Sequence, residues 1–242
     1  MYEYVDSHIH LYQFTESERK IILSKKDFVF ISVSEDLKSS IENLKLSYLH
    51  ENVIPAIGIH PWNAKDVKKE DMDIIKKIID KENIKVVGEI GIDKIFAKDY
   101  YEKQKEIFLE FLNIANNYDL SLNLHTLGAW EEVLDLLLKF DIKKAVFHWY
   151  TGPLHLINKI IDAGYFIGIN PALFVQEKHR KALEYCDINF ILTESDAPYN
   201  YRGIFLHPDK IKDVINEISK IFKIPEEKVI NTIKNNLAKF LL

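Results

Sequence analysis

Two histidines one residue apart, in Asp6-Ser7-His8-Ile9-His10, are the first residues of this sequence able to do chemistry. Alternate side chains of an extended chain point the same way, so both imidazoles can reach one cation; two surface histidines would show the same spacing. Farther along, Glu89 stands in Val86-Val87-Gly88-Glu89-Ile90-Gly91, a run otherwise too apolar for a carboxylate. There it needs a metal or a cationic partner, and an ion pair with a buried lysine would also satisfy it. His125 ends Leu122-Asn123-Leu124-His125 and His148 ends Ala145-Val146-Phe147-His148. One histidine closing an apolar run is ordinarily a hydrogen-bonded core residue, but two such endings point to ligation. Thr193-Glu194-Ser195-Asp196-Ala197-Pro198 adds two carboxylates, which share a face if the chain stays extended or else form an Asx-type turn into the proline.

Together His8, His10, Glu89, His125, His148 and Asp196 offer the imidazole and carboxylate atoms that hard or borderline divalent ions prefer. A catalytic zinc takes about three protein ligands, whereas two ions about 3.5 to 4 Å apart use all six if one carboxylate bridges. Glu89 is the expected bridge. Such a centre lowers the pKa of a bound water toward about 7 and neutralises charge building on a substrate oxygen, which favours hydrolysis. Asp196 is expected to orient the water and accept its proton.

These residues must be held by a scaffold, and the chain shows which kind. Short β-rich runs at Glu3–Val5, Phe28–Val33, Val53–Ile59, Lys85–Ile90, Ser121–Leu124, Lys144–Phe147, Tyr165–Ile169 and Asn189–Leu192 alternate with stretches of helical periodicity. The clearest helix is Tyr100–Tyr118, with Phe108, Phe111, Leu112 and Ala115 on one stripe. A terminal helix opens at Pro225-Glu226-Glu227. Eight βα units make either a closed barrel or an open doubly wound sheet. Reactive residues placed just after many different strands favour a (β/α)8 TIM-type barrel with its centre at the C-terminal strand ends.

The 242 residues, 47% of them hydrophobic, exclude a disordered chain and fit one domain spanning 1–242. With 32 basic and 37 acidic residues the net charge is 32 − 37 = −5. That excludes gripping nucleic acid by the overall field, so phosphate recognition must be local. Only Arg19, Arg180 and Arg202 can offer a bidentate fork. The single cysteine, Cys186, cannot form an internal disulfide. No signal-peptide pattern and no long apolar run appear, so a soluble, cytoplasmic protein without a membrane partner is expected, with a monomer the favoured state.

Over essentially its whole length the sequence resembles the TatD-like metal-dependent hydrolases, a branch of the amidohydrolase superfamily. The resemblance rests on Asp6-Ser7-His8-Ile9-His10-Leu11, Gly58-Ile59-His60-Pro61, Gly88-Glu89-Ile90-Gly91-Ile92-Asp93, Leu124-His125-Thr126, Phe147-His148-Trp149-Tyr150-Thr151-Gly152 and Thr193-Glu194-Ser195-Asp196-Ala197-Pro198. It implies a (β/α)8 barrel binding two divalent ions (magnesium, manganese or zinc) through His8, His10, Glu89, His125, His148 and Asp196, with deoxyribonuclease activity on phosphodiesters. It also implies His60 near the substrate phosphate, although a polar plug after the third strand would look alike. Arg202 is placed to reach phosphate or to make a surface ion pair.

Three departures from the family pattern bear on substrate. Leu127 replaces a basic residue two positions after His125, Trp149-Tyr150-Thr151 replaces Cys-Phe-Ser after His148, and Lys94-Ile95-Phe96 replaces an aromatic-histidine pair. Trp149 and Tyr150 are expected either to stack a nucleobase or to fill the barrel top. DNA, implied by the resemblance, is the leading substrate; a small ester, lactone, amide or phosphomonoester is the alternative, favoured slightly by Leu127 and the low arginine count, since water activation by metal is indifferent to the centre attacked. A non-catalytic metal- or nucleotide-binding module is the third reading, disfavoured by the complete ligand set.

Overall fold

The apolar runs form eight parallel strands paired in chain order: β1 (Tyr4–Ile9), β2 (Phe28–Ser32), β3 (Val53–Ile57), β4 (Val86–Gly91), β5 (Ser121–His125), β6 (Ala145–Phe147), β7 (Phe166–Ile169) and β8 (Ile191–Thr193). This computed structural model describes residues 2–242. The crossovers are α1 (Glu16–Leu23), α2 (Leu37–Leu49), α3 (Lys69–Lys81), α4 (Tyr101–Tyr118), α5 (Trp130–Lys139), α6 (Leu154–Asp162) and α7 (Glu177–Tyr185), followed by α8 (Ile211–Phe222) and α9 (Glu226–Leu241). Sequential parallel pairing with a helix in each crossover bends the sheet round into a TIM-type barrel. Nearly every strand residue is buried, as a sheet covered on both faces requires.

Between β8 and β1 the barrel closes through mixed contacts. Thr193 Oγ1 donates to the Val5 carbonyl at 2.6 Å, Asp196 N–H to the His8 carbonyl at 2.9 Å, and His10 N–H to the Ala197 carbonyl at 2.8 Å. This seam brings the two ends of the chain's chemistry together, because the segment carrying Asp196 is bonded directly to the one carrying His8 and His10. At the opposite end α9 seals the barrel: Asn236 Nδ2 donates to the Ile188 and Ile191 carbonyls at 2.8 Å each, and Phe240 packs edge-on against Phe166.

The expected strands are all present, with shifted ends. β1 runs on to Ile9 because its residues past Val5 still pair with β2. Asn189 and Phe190 are not strand: Asp187 caps a short 3-10 turn over Ile188–Phe190, its carboxylate accepting from Asn189 N–H at 2.8 Å. A hairpin of β9 (Tyr199–Tyr201) and β10 (Ile204–Leu206) was not foreseen. Its strands have three residues each, too short for alternation to register, and Arg202 at φ 49° with Gly203 at φ 85° makes the turn. No helix is long and apolar enough to cross a membrane among the described residues.

Candidate metal centre

Irregular pairing registers interrupt β1 between Asp6 and Ile9 and β4 between Val87 and Ile90, flanking His8 and Glu89. Bulges of this kind re-aim a side chain that regular pleating would place elsewhere. The outcome is a buried cluster. Glu89 Oε2 lies 3.3 Å from His8 Nε2 and 3.8 Å from His10 Nε2, while its Oε1 lies 2.8 Å from His125 Nδ1 and 3.3 Å from His60 Nε2. Asp196 Oδ1 completes one side at 3.3 Å from His10 Nε2, 3.5 Å from His8 Nε2 and 3.8 Å from His148 Nε2. No lysine pairs with Glu89; histidines surround it.

His8 and His125 each have one nitrogen hydrogen-bonded outward, leaving the other for the centre, and His148 sets one nitrogen against a carboxylate. Asn123 Nδ2 donates to the Ser7 carbonyl at 2.7 Å, so its Oδ1 accepts from His8 Nδ1 at 2.8 Å. His125 Nε2 lies 2.9 Å from Asp93 Oδ2, and His148 Nδ1 lies 2.9 Å from Glu194 Oε1. Asp93 is itself fixed by Trp62 Nε1–H at 2.6 Å and by the Ile95 and Phe96 N–H groups at 2.7 Å each. Such outer partners set the tautomer and orientation of ligating imidazoles. His60 is held the other way round: its Nδ1 accepts from Trp62 N–H at 3.1 Å, so the neutral ring carries its proton on Nε2, facing Glu89.

The donor set fits a divalent ion. Ligand atoms about 2.0 to 2.1 Å from a tetrahedral ion stand about 3.3 to 3.4 Å apart, close to the Glu89–His8 and Asp196–His10 separations of 3.3 Å and too long for strong hydrogen bonds. His8 Nε2, aimed into the cluster, is buried without a hydrogen-bond partner. Ligand atoms close enough to hold an ion fall in three groups: His8, His10 and Asp196; His60, Glu89 and His125; and His8, His148 and Glu194.

Burial opposes charge on His8, yet Glu89 and Asp196 push its pKa up to about 10; His125, likewise buried, is pushed up to about 9 by Asp93 and Glu89. In return the histidines hold Glu89 well below the ordinary carboxylate range despite its burial. A metal ion held by His8 and His125 would therefore displace their protons at neutral pH. Because protons compete below these raised values, affinity should climb as pH rises toward about 9. Zinc or manganese titrations by calorimetry at pH 7, in buffers of different ionisation enthalpy, should show proton release; equal heats in all buffers would contradict it.

Not every expected residue reaches the cavity. Glu194 and Asp196 do not share a face, because Asp196 takes a left-handed φ of 53° that turns the chain. Glu194 instead lies beneath His148, accepting from Trp149 N–H at 2.8 Å, in space left by Gly168, where any Cβ would collide with its carboxylate. Tyr150, expected at the pocket wall, is fully buried with its hydroxyl donating to the Pro153 carbonyl at 2.7 Å. Its bulk fills the barrel top and cannot meet substrate. Arg202 is exposed at the hairpin turn, with Nη1 3.3 Å from the Val175 carbonyl, outside the residues lining the cavity. His60 and Trp149 do line that cavity, whose volume is about 580 Å³.

Sequence reasoning gave Asn123, Asp93 and Trp62 no role. Asn123 could have been found by period two, since it shares the inward side of β5 with His125; Asp93 and Trp62 carry no local signal. His179 was also passed over. It is fully buried, Nε2 accepting from Asn170 N–H at 3.1 Å and Nδ1–H donating to the Tyr150 carbonyl at 2.9 Å. Burial lowers its pKa from 6.5 to about 4. A base whose folded pKa is depressed gives stability that is whole above about 6.5 and lost as pH falls through about 4. Up to about 3 kcal/mol should disappear across that window. His179→Gln, unable to take the proton, should flatten this part of the stability profile in urea unfolding; an unchanged slope would refute the assignment.

With the geometry established, comparison with known proteins places the chain. The family model described as "TatD related DNase" matches residues 5–241. The chain belongs to that family. An uncharacterized metal-dependent hydrolase of Methanocaldococcus jannaschii is 30% identical over 250 residues, covering 98% of this chain and 96% of that protein. The human deoxyribonuclease TATDN3 is 24% identical, covering 97% and 93%. Among solved structures, the TatD homolog YJJV of Escherichia coli superposes with a TM-score of 0.90 at 20% identity over 99% of this chain and 98% of that one. A hydrolase of the TatD family from Entamoeba histolytica gives a TM-score of 0.82 at 19% identity over 100% and 98%. This TatD-family chain is accordingly a metal-dependent hydrolase on the same barrel.

Proposed function

We propose that this chain hydrolyses phosphodiester bonds of DNA. The observation that carries the reading is the division of Glu89: one carboxylate oxygen faces His8 and His10, the other His125 and His60. Two divalent ions would be held there by His8, His10, Glu89, His125, His148 and Asp196, with His8, His10 and Asp196 on one side of Glu89, His125 on the other and His148 stacked on His8. Magnesium, manganese or zinc bound there supplies water activation and neutralises charge on the phosphoryl oxygens. The name of the human relative, a deoxyribonuclease, supports the same substrate class.

The chain's own groups do the rest. Asp196 holds the attacking water through its carboxylate and takes its proton. His60, whose Nε2–H faces Glu89 and His125, would turn that donor to a phosphoryl oxygen when substrate binds. Asp93 and Asn123 keep His125 and His8 in the tautomers that present a lone pair. The side chains of Trp62 and Trp149 line the cavity and restrict bulk water there. Purified protein loaded with magnesium, manganese or zinc should release nucleotides from a mixture of short and long single-stranded DNA. No release with any of the three ions rejects the reading, and a carboxylic ester or lactone turned over faster than DNA would move the activity to another hydrolase class.

A further inference from the structure

We infer that the substrate is a short deoxyribonucleotide diester, one scissile phosphodiester between two planar bases, in preference to a long strand; this rests on the phosphodiesterase reading above. All three tryptophans of the chain, Trp62, Trp130 and Trp149, line the cavity. Phe96 stands edge-on to Trp62 at 5.7 Å, and Tyr201 edge-on to Trp149 at 4.9 Å, with Tyr199 at 6.2 Å. The first aromatic group adjoins His60 and His125, the second adjoins His148. A stacking wall therefore stands on each side of the cluster, where the bases flanking a bound phosphate would lie.

Charge points the same way. Among the described residues, none of the 32 lysines and arginines lines the cavity, whose carboxylates are Glu35, Glu89 and Asp196. The basic groups nearby are engaged elsewhere: Lys94 pairs with Glu132 at 2.7 Å, and Arg202 lies over the Tyr201 ring at 5.3 Å. A long strand threads further phosphates past the cluster, and the cavity lining offers no lysine or arginine to neutralise them. Only a phosphate at the cluster would meet positive charge here, from divalent ions held by its histidines and carboxylates. A cavity of about 580 Å³ is of small-molecule size. In the reaction the water oxygen bonds to phosphorus as the P–O ester bond breaks. The proton passes to Asp196 and then to the leaving alkoxide, giving a phosphomonoester and an alcohol.

The test uses the metal-loaded protein with two substrates: a dinucleoside monophosphate and a single strand of about twenty nucleotides, each over about 50 to 200 mM salt. Binding is read separately, by quenching of tryptophan fluorescence with a dinucleoside phosphorothioate. The dinucleotide should be favoured in kcat/KM per bond, with little change across the salt series. Phe96→Ala and Tyr199→Ala, both at exposed side chains, should each raise KM about tenfold, the loss of one stacked base. Leu127→Lys, adding a cation to the wall, should strengthen binding of the strand and make it salt-sensitive. A wild-type preference for the strand that falls steeply with salt overturns the inference, as does absence of quenching by the analogue. Quenching without turnover of either substrate upholds the cavity's preference and rejects the phosphodiesterase chemistry alone.

Discussion

Replacing Asp196 with asparagine is expected to reduce turnover by about a thousandfold while leaving metal content near that of the wild type. The amide oxygen can stand where Oδ1 stands now, 3.3 Å from His10 Nε2 and 3.5 Å from His8 Nε2, so the histidine cluster keeps an oxygen donor. What asparagine cannot do is accept a proton. The ordinary acidity of this carboxylate is moreover strengthened here: burial works against the charged form, but His148, His10 and His8 hold its pKa below the usual value. The group is thus ionised and ready to accept at neutral pH, and removing that capacity strikes the step in which water loses its proton. Steady-state kinetics beside elemental analysis decides the matter. A kcat within tenfold of wild type would show that another group takes the proton.

Glu89→Gln is expected to empty the whole cluster, lowering metal affinity by about a hundredfold or more. The carboxylate is 2% exposed and has four imidazole nitrogens within 3.8 Å, two on each oxygen. No other acid lies between the two histidine groups, so its charge cannot be replaced locally. An amide also turns an NH2 donor toward one group, setting a repulsive contact where an ion would sit. His125→Ala and His148→Ala, by contrast, each remove a single imidazole and should lower occupancy only in part. Metal content after dialysis distinguishes the cases. Full occupancy in Glu89→Gln would mean that the ions bind without a bridging carboxylate.

The two experiments also separate binding from chemistry. Asp196 and Glu89 both touch His8, yet one sits at the edge of the cluster and the other between its halves. Loss of turnover with retained metal in the first, and loss of metal in the second, is the pattern that this placement predicts. The reverse pattern would exchange their roles.

Which residues gather at one rim was legible in the sequence because it depends on local periodicity. His8 and His10 alternate on one strand, and His125 and His148 each close an apolar run, so their side chains had to emerge at the same rim. The eight strands were legible for the same reason, their ends erring by a few residues where pairing or capping outweighs composition, as at Asp187. Tertiary structure alone decided how those side chains are divided. The seam between β8 and β1 sets Asp196 beside His8 and His10, and a left-handed turn at Asp196 sends Glu194 beneath His148 instead of into the cavity. It also buried Tyr150, turned Arg202 away and recruited Asp93, Trp62 and Asn123 as supports. Periodicity says which face a residue is on within its own strand. Which neighbour it meets depends on strand register, on backbone dihedrals at single residues and on closure of the barrel, and those are fixed only when distant segments pack.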